Sequence, residues 1–223
     1  FEDKATNNTS TMTNQGTLNI TSTTFSGGGI SNSGSLNITS STLPGIGNGN
    51  TGIVTIIDST LSGGRGSGIS NPFGGTVNVT NSTISNHTVS FGLLGFGGGG
   101  GILNGPGGTV NVTNSTISGN TTDTGSGGGI YNQGGTINVN NSNIFGNTSN
   151  AGGGIYNKDG TMNVTNSIIS NNTTDSSGSG GISNEGGTVN VTNSTISNNT
   201  SNRGGGIDNN GGTVTVISST LSN

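Results

Sequence analysis

The sequence predicts an all-β fold, a single-stranded parallel β-helix (β-solenoid) of about nine coils with three short strands in each coil. Three observations support this prediction: a motif that recurs along the chain, apolar residues at fixed positions of that motif, and a composition poor in large apolar side chains. Of the 223 residues, 24% are hydrophobic and 47 are glycine. This supply is thin for a globular core but sufficient for the narrow apolar interior of a solenoid.

The recurring motif is clearest at residues 180–197, where the leader Gly-Gly-Ile-Ser-Asn comes shortly before Gly-Thr-Val-Asn-Val-Thr-Asn-Ser-Thr-Ile-Ser. A unit of this length is too short to bury its own apolar face, so the copies are expected to stack as one coil each. The whole chain, residues 1–223, is therefore predicted to form one domain. The copies begin at Gly16, Gly34, Gly52, Gly75, Gly108, Gly135, Gly160, Gly187 and Gly212.

Four apolar positions in each copy are predicted to point into the solenoid. In the clearest copy they are Ile182 in the leader, Val189 and Val191 in the next strand, and Ile196 after it. Val189 and Val191 are two residues apart, and side chains at this spacing lie on one face of a β-strand. β-Branched residues suit such a packed surface.

Two polar positions recur as regularly as the apolar ones. Asn is the second residue after the leader's apolar residue in every copy, and we expect these side chains to form a structural ladder of stacked amides. The ladder comprises Asn14, Asn32, Asn48, Asn71, Asn104, Asn132, Asn157, Asn184 and Asn209. The other position is expected to adopt a turn or left-handed backbone, which its residue types tolerate. It is filled by Ser22, Ser40, Asp58, Asn81, Asn114, Asn141, Asn166, Asn193 and Ser218.

Variation in length is confined to one corner of the coil, between the third strand and the next leader. The longest insertion, residues 85–101, is predicted to be a loop. Its apolar side chains are candidates for a lateral or ligand contact, and the alternative is that they fold back onto the flank of the solenoid. They are Phe91, Leu93, Leu94 and Phe96.

The motif resembles the repeat of the polymorphic outer-membrane proteins of chlamydial type. Gly-Gly-Gly-Ile at residues 127–130, 152–155 and 204–207 is similar to the Gly-Gly-Ala-Ile signature of that repeat. The Phe-x-x-Asn signature has a counterpart with Ile in place of Phe at residues 117–120, 169–172 and 196–199. The resemblance implies a right-handed β-helix in a secreted or surface-exposed protein, such as an adhesin or an autotransporter passenger domain.

Composition argues against several classes of function. The chain has only four Lys or Arg residues and no basic patch, which argues against a nucleic-acid partner. No apolar run approaches the length needed for membrane insertion. The acidic residues are scattered, and His87 has no evident metal-binding partner. The sequence therefore predicts no enzyme, no cofactor and no metal site.

Two surface properties remain open from the sequence. Asn-x-Ser/Thr sites for glycosylation include Asn78, Asn81, Asn111, Asn114, Asn120, Asn190 and Asn193, although a chain rich in Asn, Ser and Thr produces such sites by chance. An outward column of Thr residues, among them Thr76 and Thr109, is compatible with an ice lattice, but its companion column is Asn rather than a second Thr.

The two ends of the chain predict self-association. Residues 212–223, joined to residues 1–15 of a second copy, make 27 residues, a spacing that occurs twice inside the chain. Residues 1–11 are therefore expected to complete a coil with the preceding subunit of a head-to-tail filament. The predicted subunit interface comprises Phe1, Met12, Leu18, Ile20, Val214, Val216 and Leu221. A piece of a longer repeat protein would produce the same spacing.

These observations predict a structural subunit of an extracellular or cell-surface filament whose partner is itself. The alternative is a cell-surface adhesin, or an autotransporter passenger fragment, that binds glycans or other surfaces through the variable corner.

Overall fold

A computed structural model of the protein describes residues 11–49, 51–90, 98–123 and 125–222. These residues form 30 short strands in four sheets, and within them there is no helix. Every pairing between two strands is parallel, which confirms the predicted parallel β-solenoid. Nine strands stack in each of the two longest sheets, so the predicted number of coils is confirmed as well.

The strands are numbered in chain order, and the four sheets are named A to D. Sheet A contains β1 (Met12–Asn14), β3 (Ile30–Asn32), β6 (Ile46–Asn48), β9 (Ile69–Asn71), β13 (Ile102–Asn104), β17 (Ile130–Gln133), β21 (Ile155–Lys158), β25 (Ile182–Glu185) and β28 (Ile207–Asn210). Sheet B contains β2 (Thr17–Thr21), β4 (Ser35–Thr39), β7 (Ile53–Ile57), β10 (Thr76–Thr80), β14 (Thr109–Thr113), β18 (Thr136–Asn140), β22 (Thr161–Thr165), β26 (Thr188–Thr192) and β29 (Thr213–Ile217). Sheet C contains β5 (Thr42–Leu43), β8 (Thr60–Ser62), β11 (Thr83–Ser85), β15 (Thr116–Ser118), β19 (Asn143–Phe145), β23 (Ile168–Ser170), β27 (Thr195–Ser197) and β30 (Thr220–Ser222). Sheet D contains β12 (Thr88–Val89), β16 (Thr121–Thr122), β20 (Thr148–Ala151) and β24 (Thr173–Ser177).

A coil passes through sheets A, B and C in turn, and sheet D adds a fourth short strand at the variable corner of four successive coils. Both ends of the 85–101 segment belong to the solenoid. Strand β12 pairs with β16, and the N–H groups of Gly100 and Gly101 donate to the carbonyls of Gly127 and Gly128. Phe91, Leu93, Leu94 and Phe96 lie outside the described residues, so their predicted contact stays a prediction.

The apolar core is a continuous column that runs the length of the solenoid. Val110 and Val112 of β14, for example, are fully buried and lie directly against Val77 and Val79 of β10. The same pairing of like with like recurs from coil to coil, since the register is in step throughout sheet B. Burial of one such side chain stabilises the fold by about 1.5–3 kcal/mol.

The predicted Asn ladder is present. Each amide Nδ2 donates to the Oδ1 of the ladder Asn in the next coil, through eight bonds of 2.7 to 3.0 Å. Nδ2 also donates to the backbone carbonyl of the glycine that begins its own copy, as from Asn132 to Gly135. Asn132 is completely buried, so these bonds satisfy polar groups that water cannot reach.

The ladder explains the glycine at the start of the third to ninth copies. A Cβ built at Gly135 would collide with the Nδ2 atom of Asn104 in the preceding coil. At Gly187 it would collide with Asn157, and at Gly212 with Asn184. The backbone must therefore pass close to the amide of the coil before it, and only glycine leaves room.

The predicted turn position is confirmed, because all nine of its residues have positive φ values, from 49° to 51°. Two further buried polar columns were not predicted. Ser142 is typical of the first: its hydroxyl donates to the carbonyl of Asn140 and accepts the N–H of Ser115 in the neighbouring coil. The second consists of Asn120, Asn147, Asn172 and Asn199, and these amides also bond from coil to coil.

His87 occupies the position of the second Asn column in the fourth coil. His87 is completely buried. Its backbone N–H donates to the Oδ1 of Asn120, and its ring Nδ1 accepts the backbone N–H of Gly64. Among the described residues, its Nε2 has no hydrogen-bond partner. Burial lowers the pKa of His87 below its ordinary value, although the nearby carbonyl of Leu61 favours the charged ring.

Removing a ladder amide should destabilise the solenoid. Asn104→Ala deprives Asn71 of an acceptor and Asn132 of a donor inside a dry core. We expect a loss of about 1–3 kcal/mol in the free energy of unfolding, measured by urea denaturation. The control is Asn111→Ala in the same coil, on the outward face and only partly buried, where we expect a change within about 0.5 kcal/mol. Equal losses in the two variants would contradict a special role for the inner ladder.

Replacing His87 should remove a source of acid sensitivity. The unfolded chain binds a proton on His87 near pH 6.5, whereas the folded chain binds it only at lower pH, so stability falls as the pH drops below about 6.5. His87→Asn continues the Asn column and has no titrating ring. We expect urea midpoints of the variant to change less than those of the wild type between about pH 7.5 and about pH 5.5. Identical pH dependence would show that His87 is not the cause.

Candidate functional site

The last coil leaves the apolar column open. Val216 is 41% exposed and Leu221 is 49% exposed, whereas their counterparts one coil earlier, Val191 and Ile196, are fully buried. Val214 is partly buried against the core. This end therefore presents apolar side chains at the edge of three parallel sheets.

The first coil presents the opposite edge. Met12 and Leu18 are partly buried and pack against the core, and Ile20 is 6% exposed. Phe25, in the third apolar position, is partly buried in the same way. Phe1 lies outside the described residues. The predicted interface residues thus lie at the two open edges, and their contact with a second copy stays a prediction.

The Asn ladder gives these edges opposite hydrogen-bonding character. Every ladder amide donates towards the end of the chain and accepts from the direction of its start. Asn14 therefore has an Oδ1 that accepts only the N–H of Gly16 among the described residues. Asn209 is exposed, and its Nδ2 donates to the carbonyl of Gly212. Among the described residues, no Asn of a following coil offers this Nδ2 an Oδ1 acceptor. One edge is left with a donor and the other with an acceptor.

The glycosylation candidates fall into three environments. Asn81, Asn114 and Asn193 are exposed at turn positions. Asn78, Asn111 and Asn190 are partly buried in an outward amide ladder on sheet B, where Asn111 donates to Asn78 and Asn190 donates to Asn163. Asn120 is completely buried and bonds to Ile84 and Asn147, so a glycan has no room there in the folded chain.

The outward face of sheet B carries three polar columns. The predicted Thr column, with Thr76 and Thr109, and the Asn column are joined by a second Thr column that includes Thr80 and Thr113. This second Thr column was not predicted from the sequence.

A cluster of aromatic and charged side chains on the outward face of sheet A was also missed. The chain has two tyrosines, and both belong to it: Tyr131 and Tyr156 are neighbours in adjacent strands. Their ring centroids are 5.5 Å apart and their planes are inclined by 50°. Tyr131 is only 4% exposed, so it forms a base behind the more open Tyr156.

Glu185 connects the tyrosines to a basic residue. The Tyr156 hydroxyl donates to its Oε2, and the Nζ of Lys158 lies 3.4 Å from its Oε1. The hydrogen bond from Tyr156 lowers the pKa of Glu185 below its ordinary value, and Lys158 adds to this. Burial raises the pKa of Tyr156, and the bond to the Glu185 carboxylate raises it further. Glu185 is thus a carboxylate and Tyr156 a neutral phenol near neutral pH.

Tyr156 and Glu185 line a cleft of about 110 Å³ together with Arg203, Asp208 and Asn210. Ser183, which pairs with Tyr156 on one side and Asp208 on the other, forms its floor. Within the described ranges, neither the Arg203 guanidinium nor the Asp208 carboxylate makes a hydrogen bond or an ion pair. Two charged groups are therefore available to a ligand at this cleft.

The signal for this cluster was present in the sequence. Tyr131, Tyr156, Ser183 and Asp208 occupy one outward position of the leader strand in four successive copies. The aromatic and charged residues therefore follow one another in a single outward column of the repeat, although they are far apart along the chain.

Another groove, of about 480 Å³, lies beside the first coils and is lined largely by glycine, with Arg65 as its charged residue. In the part of the chain that the structure describes, no three His, Asp or Glu side chains are grouped to bind a metal ion. No helix among the described residues is long and apolar enough to cross a membrane.

Comparisons with models of known protein families, with curated protein sequences and with solved structures found no match.

The bond between Tyr156 and Glu185 predicts a measurable change in titration. Tyr156→Phe removes the hydroxyl that stabilises the carboxylate, so the pKa of Glu185 should rise towards its ordinary value. Lys158→Met should raise it by less, because the Tyr156 bond has the larger effect. Carbon-13 NMR titration of the Glu185 carboxyl measures both shifts. A larger rise in Lys158→Met would show that the ion pair is the dominant interaction.

Proposed function

We propose that the protein is a structural subunit that polymerises head to tail by continuing its β-solenoid into a second copy. The observation that supports this most directly is the directed Asn ladder, which presents a donor at Asn209 and an acceptor at Asn14. A second copy placed on the last coil in the same register supplies the partner that each edge lacks. The contact is heterologous and does not close on itself, so it propagates.

The apolar columns support the same arrangement. In the repeat register, Val214 of one copy stacks on Leu18 of the next, Val216 on Ile20, and Leu221 on Phe25. Contact would remove Val216 and Leu221 from water, and full burial of each contributes about 1.5–3 kcal/mol. Parallel pairing of the edge strands adds main-chain hydrogen bonds, as in strand addition.

Low charge also favours such stacking. The net charge is −4 over 223 residues, so copies placed end to end repel each other weakly. Nine coils at roughly 4.8 Å each give each subunit a length of about 43 Å.

We include in this proposal a secreted or cell-surface location and a right-handed coil, which the resemblance to surface-protein repeats implies. The adhesin alternative assigns binding to the variable corner, whose apolar candidates Phe91, Leu93, Leu94 and Phe96 lie outside the described residues.

A positive charge placed at the exposed edge of the last coil should prevent a second copy from stacking there. Leu221→Lys places an ammonium group in the apolar column where the next copy would stack, so it should abolish filaments. Ile217→Lys is the matched control, because Ile217 is 53% exposed but belongs to the outward face of β29. Sedimentation velocity and negative-stain electron microscopy should show filaments for the wild type and for Ile217→Lys, and monomers of about 21.6 kDa for Leu221→Lys.

A mixing experiment separates blocked assembly from misfolding. The Leu221→Lys chain retains its first coil, so it should add to the last coil of a wild-type filament and then stop growth. A small proportion of the variant should therefore shorten wild-type filaments, whereas a misfolded chain would leave their length unchanged. Wild-type protein that stays monomeric at all concentrations would contradict the proposal and would leave the open edges to be covered by further coils of one longer chain.

A further inference from the structure

The chemically versatile side chains of this protein are concentrated in one place. The chain has four basic and eight acidic residues, and five of these twelve charged residues, Lys158, Asp159, Glu185, Arg203 and Asp208, lie in the last three coils on or beside sheet A. Tyr156 lies in the same three coils, and Tyr131 lies in the coil before them. Elsewhere on sheet A the corresponding outward position holds Thr, Ser, Gly or Leu. Stacking alone does not require this concentration, since those other coils stack without it.

We propose that the cleft formed by Tyr156, Glu185, Arg203 and Asp208 binds a neutral saccharide. The site is on the outward face of sheet A near the edge where a second copy would stack, since Asp208 belongs to the last strand of that sheet. Its test needs no filament, because every lining residue belongs to one chain.

The tyrosine pair provides a rigid apolar surface in the cleft. Tyr156 is fixed behind by the Tyr131 ring and at its tip by the bond to Glu185. Its ring therefore loses little freedom when a ligand packs on it. The C–H face of a pyranose ring is an apolar surface of matching size, and aromatic walls with a few polar groups are typical of small-molecule sites.

The polar groups around this ring suit hydroxyl groups. The Asp208 carboxylate accepts hydrogen bonds, and the Arg203 guanidinium donates them through a planar set of N–H groups. A sugar hydroxyl both donates and accepts, so two neighbouring hydroxyls can satisfy the two residues at once. The backbone of Arg203 is held at the cleft, since its N–H donates to the Ser201 hydroxyl, which also bonds to Gly178.

The charge balance favours a neutral ligand. Glu185 is offset by Lys158 at 3.4 Å, and Asp208 is opposed by Arg203 in the cleft lining. Asp159 gives the wider group one net negative charge, but it does not line the cleft, and the charged lining residues together with Lys158 carry no net charge. The volume, about 110 Å³, is below the roughly 300–1,000 Å³ of pockets that enclose a drug-sized ligand. The cleft is therefore too small to enclose an oligosaccharide, and in this proposal it contacts one sugar unit and leaves the rest outside.

Saturation-transfer-difference NMR tests the proposal, because it observes ligand protons and works equally for a monomer and a filament. The probes are neutral oligosaccharides of glucose, galactose, mannose, xylose and N-acetylglucosamine, with oligogalacturonate as the anionic probe and a chitosan oligomer as the cationic probe. We expect saturation transfer to at least one neutral probe, strongest at the ring protons that pack on Tyr156. No transfer to any neutral probe, or transfer to a charged probe alone, would overturn the proposal.

Variants locate the binding. Tyr156→Ala and Asp208→Asn should each weaken binding of the neutral probe by about tenfold or more, the usual effect of losing a stacking surface or a charge-assisted bond. Arg65→Gln is the control, since it changes the arginine of the other groove and should bind like the wild type. Far-ultraviolet circular dichroism checks that each variant is folded. Unchanged affinity in both cleft variants would place the saccharide elsewhere and refute this site.

Discussion

Every feature of this structure depends on in-register stacking, in which each side chain lies against its counterpart in the next coil. At roughly 4.8 Å between strands, a position accepts only residue types that tolerate a copy of themselves. Apolar side chains satisfy this by packing, Asn by donating and accepting at once, and Ser by bonding its hydroxyl to one coil and accepting from another. Like charges in one column would repel. The same constraint accounts for a chain with 5% charged residues and long runs of Asn, Ser and Thr.

Stacking also gives the solenoid a direction. The ladder bonds all point the same way, and parallel sheets carry unpaired N–H and C=O groups along both outer strands. The interactions that make the interior uniform are incomplete at the first and last coils that the structure describes. Val216 and Leu221 are exposed at one edge, and Met12 and Leu18 are half-buried at the other. In the proposed filament a second copy covers these edges, because the complementary surface is part of the same molecule.

The outward positions are not packed inside the core, so their residue types can differ from coil to coil. The chemical variation of the repeat is found at these positions. On sheet A the sequence of outward residues changes from Tyr131 and Tyr156 to Ser183 and Asp208, while the inward Ile and Asn of the same strands do not change. Lys158 and Glu185 are compatible with stacking because they have opposite signs. In a repeat protein, a departure from the repeat on a free face marks a candidate site more clearly than any single residue type.

The number of coils, the parallel register, the inward apolar columns, the Asn ladder and the turn residues with positive φ were all predicted from the sequence. Each of them follows from the repeat period, which can be read directly from the order of the residues. It did not reveal the fourth strands at the variable corner, the buried Ser column or the burial of Asn120 and His87. The fourth strands form at a corner whose length differs between copies. The burial of the Ser column, Asn120 and His87 depends on which way each side chain turns at a bend.

The saccharide cleft illustrates the same limit. Glu185 and Arg203 are 18 residues apart in the chain, and Tyr156 is a further coil away. Only the folded structure brings them around one cleft, since it places a corner residue of one coil beside the leader strands of others. The scaffold could be predicted from the repeat period because stacking repeats one set of contacts in every coil. The site could be seen only in the folded chain because residues from unlike positions of the repeat meet there.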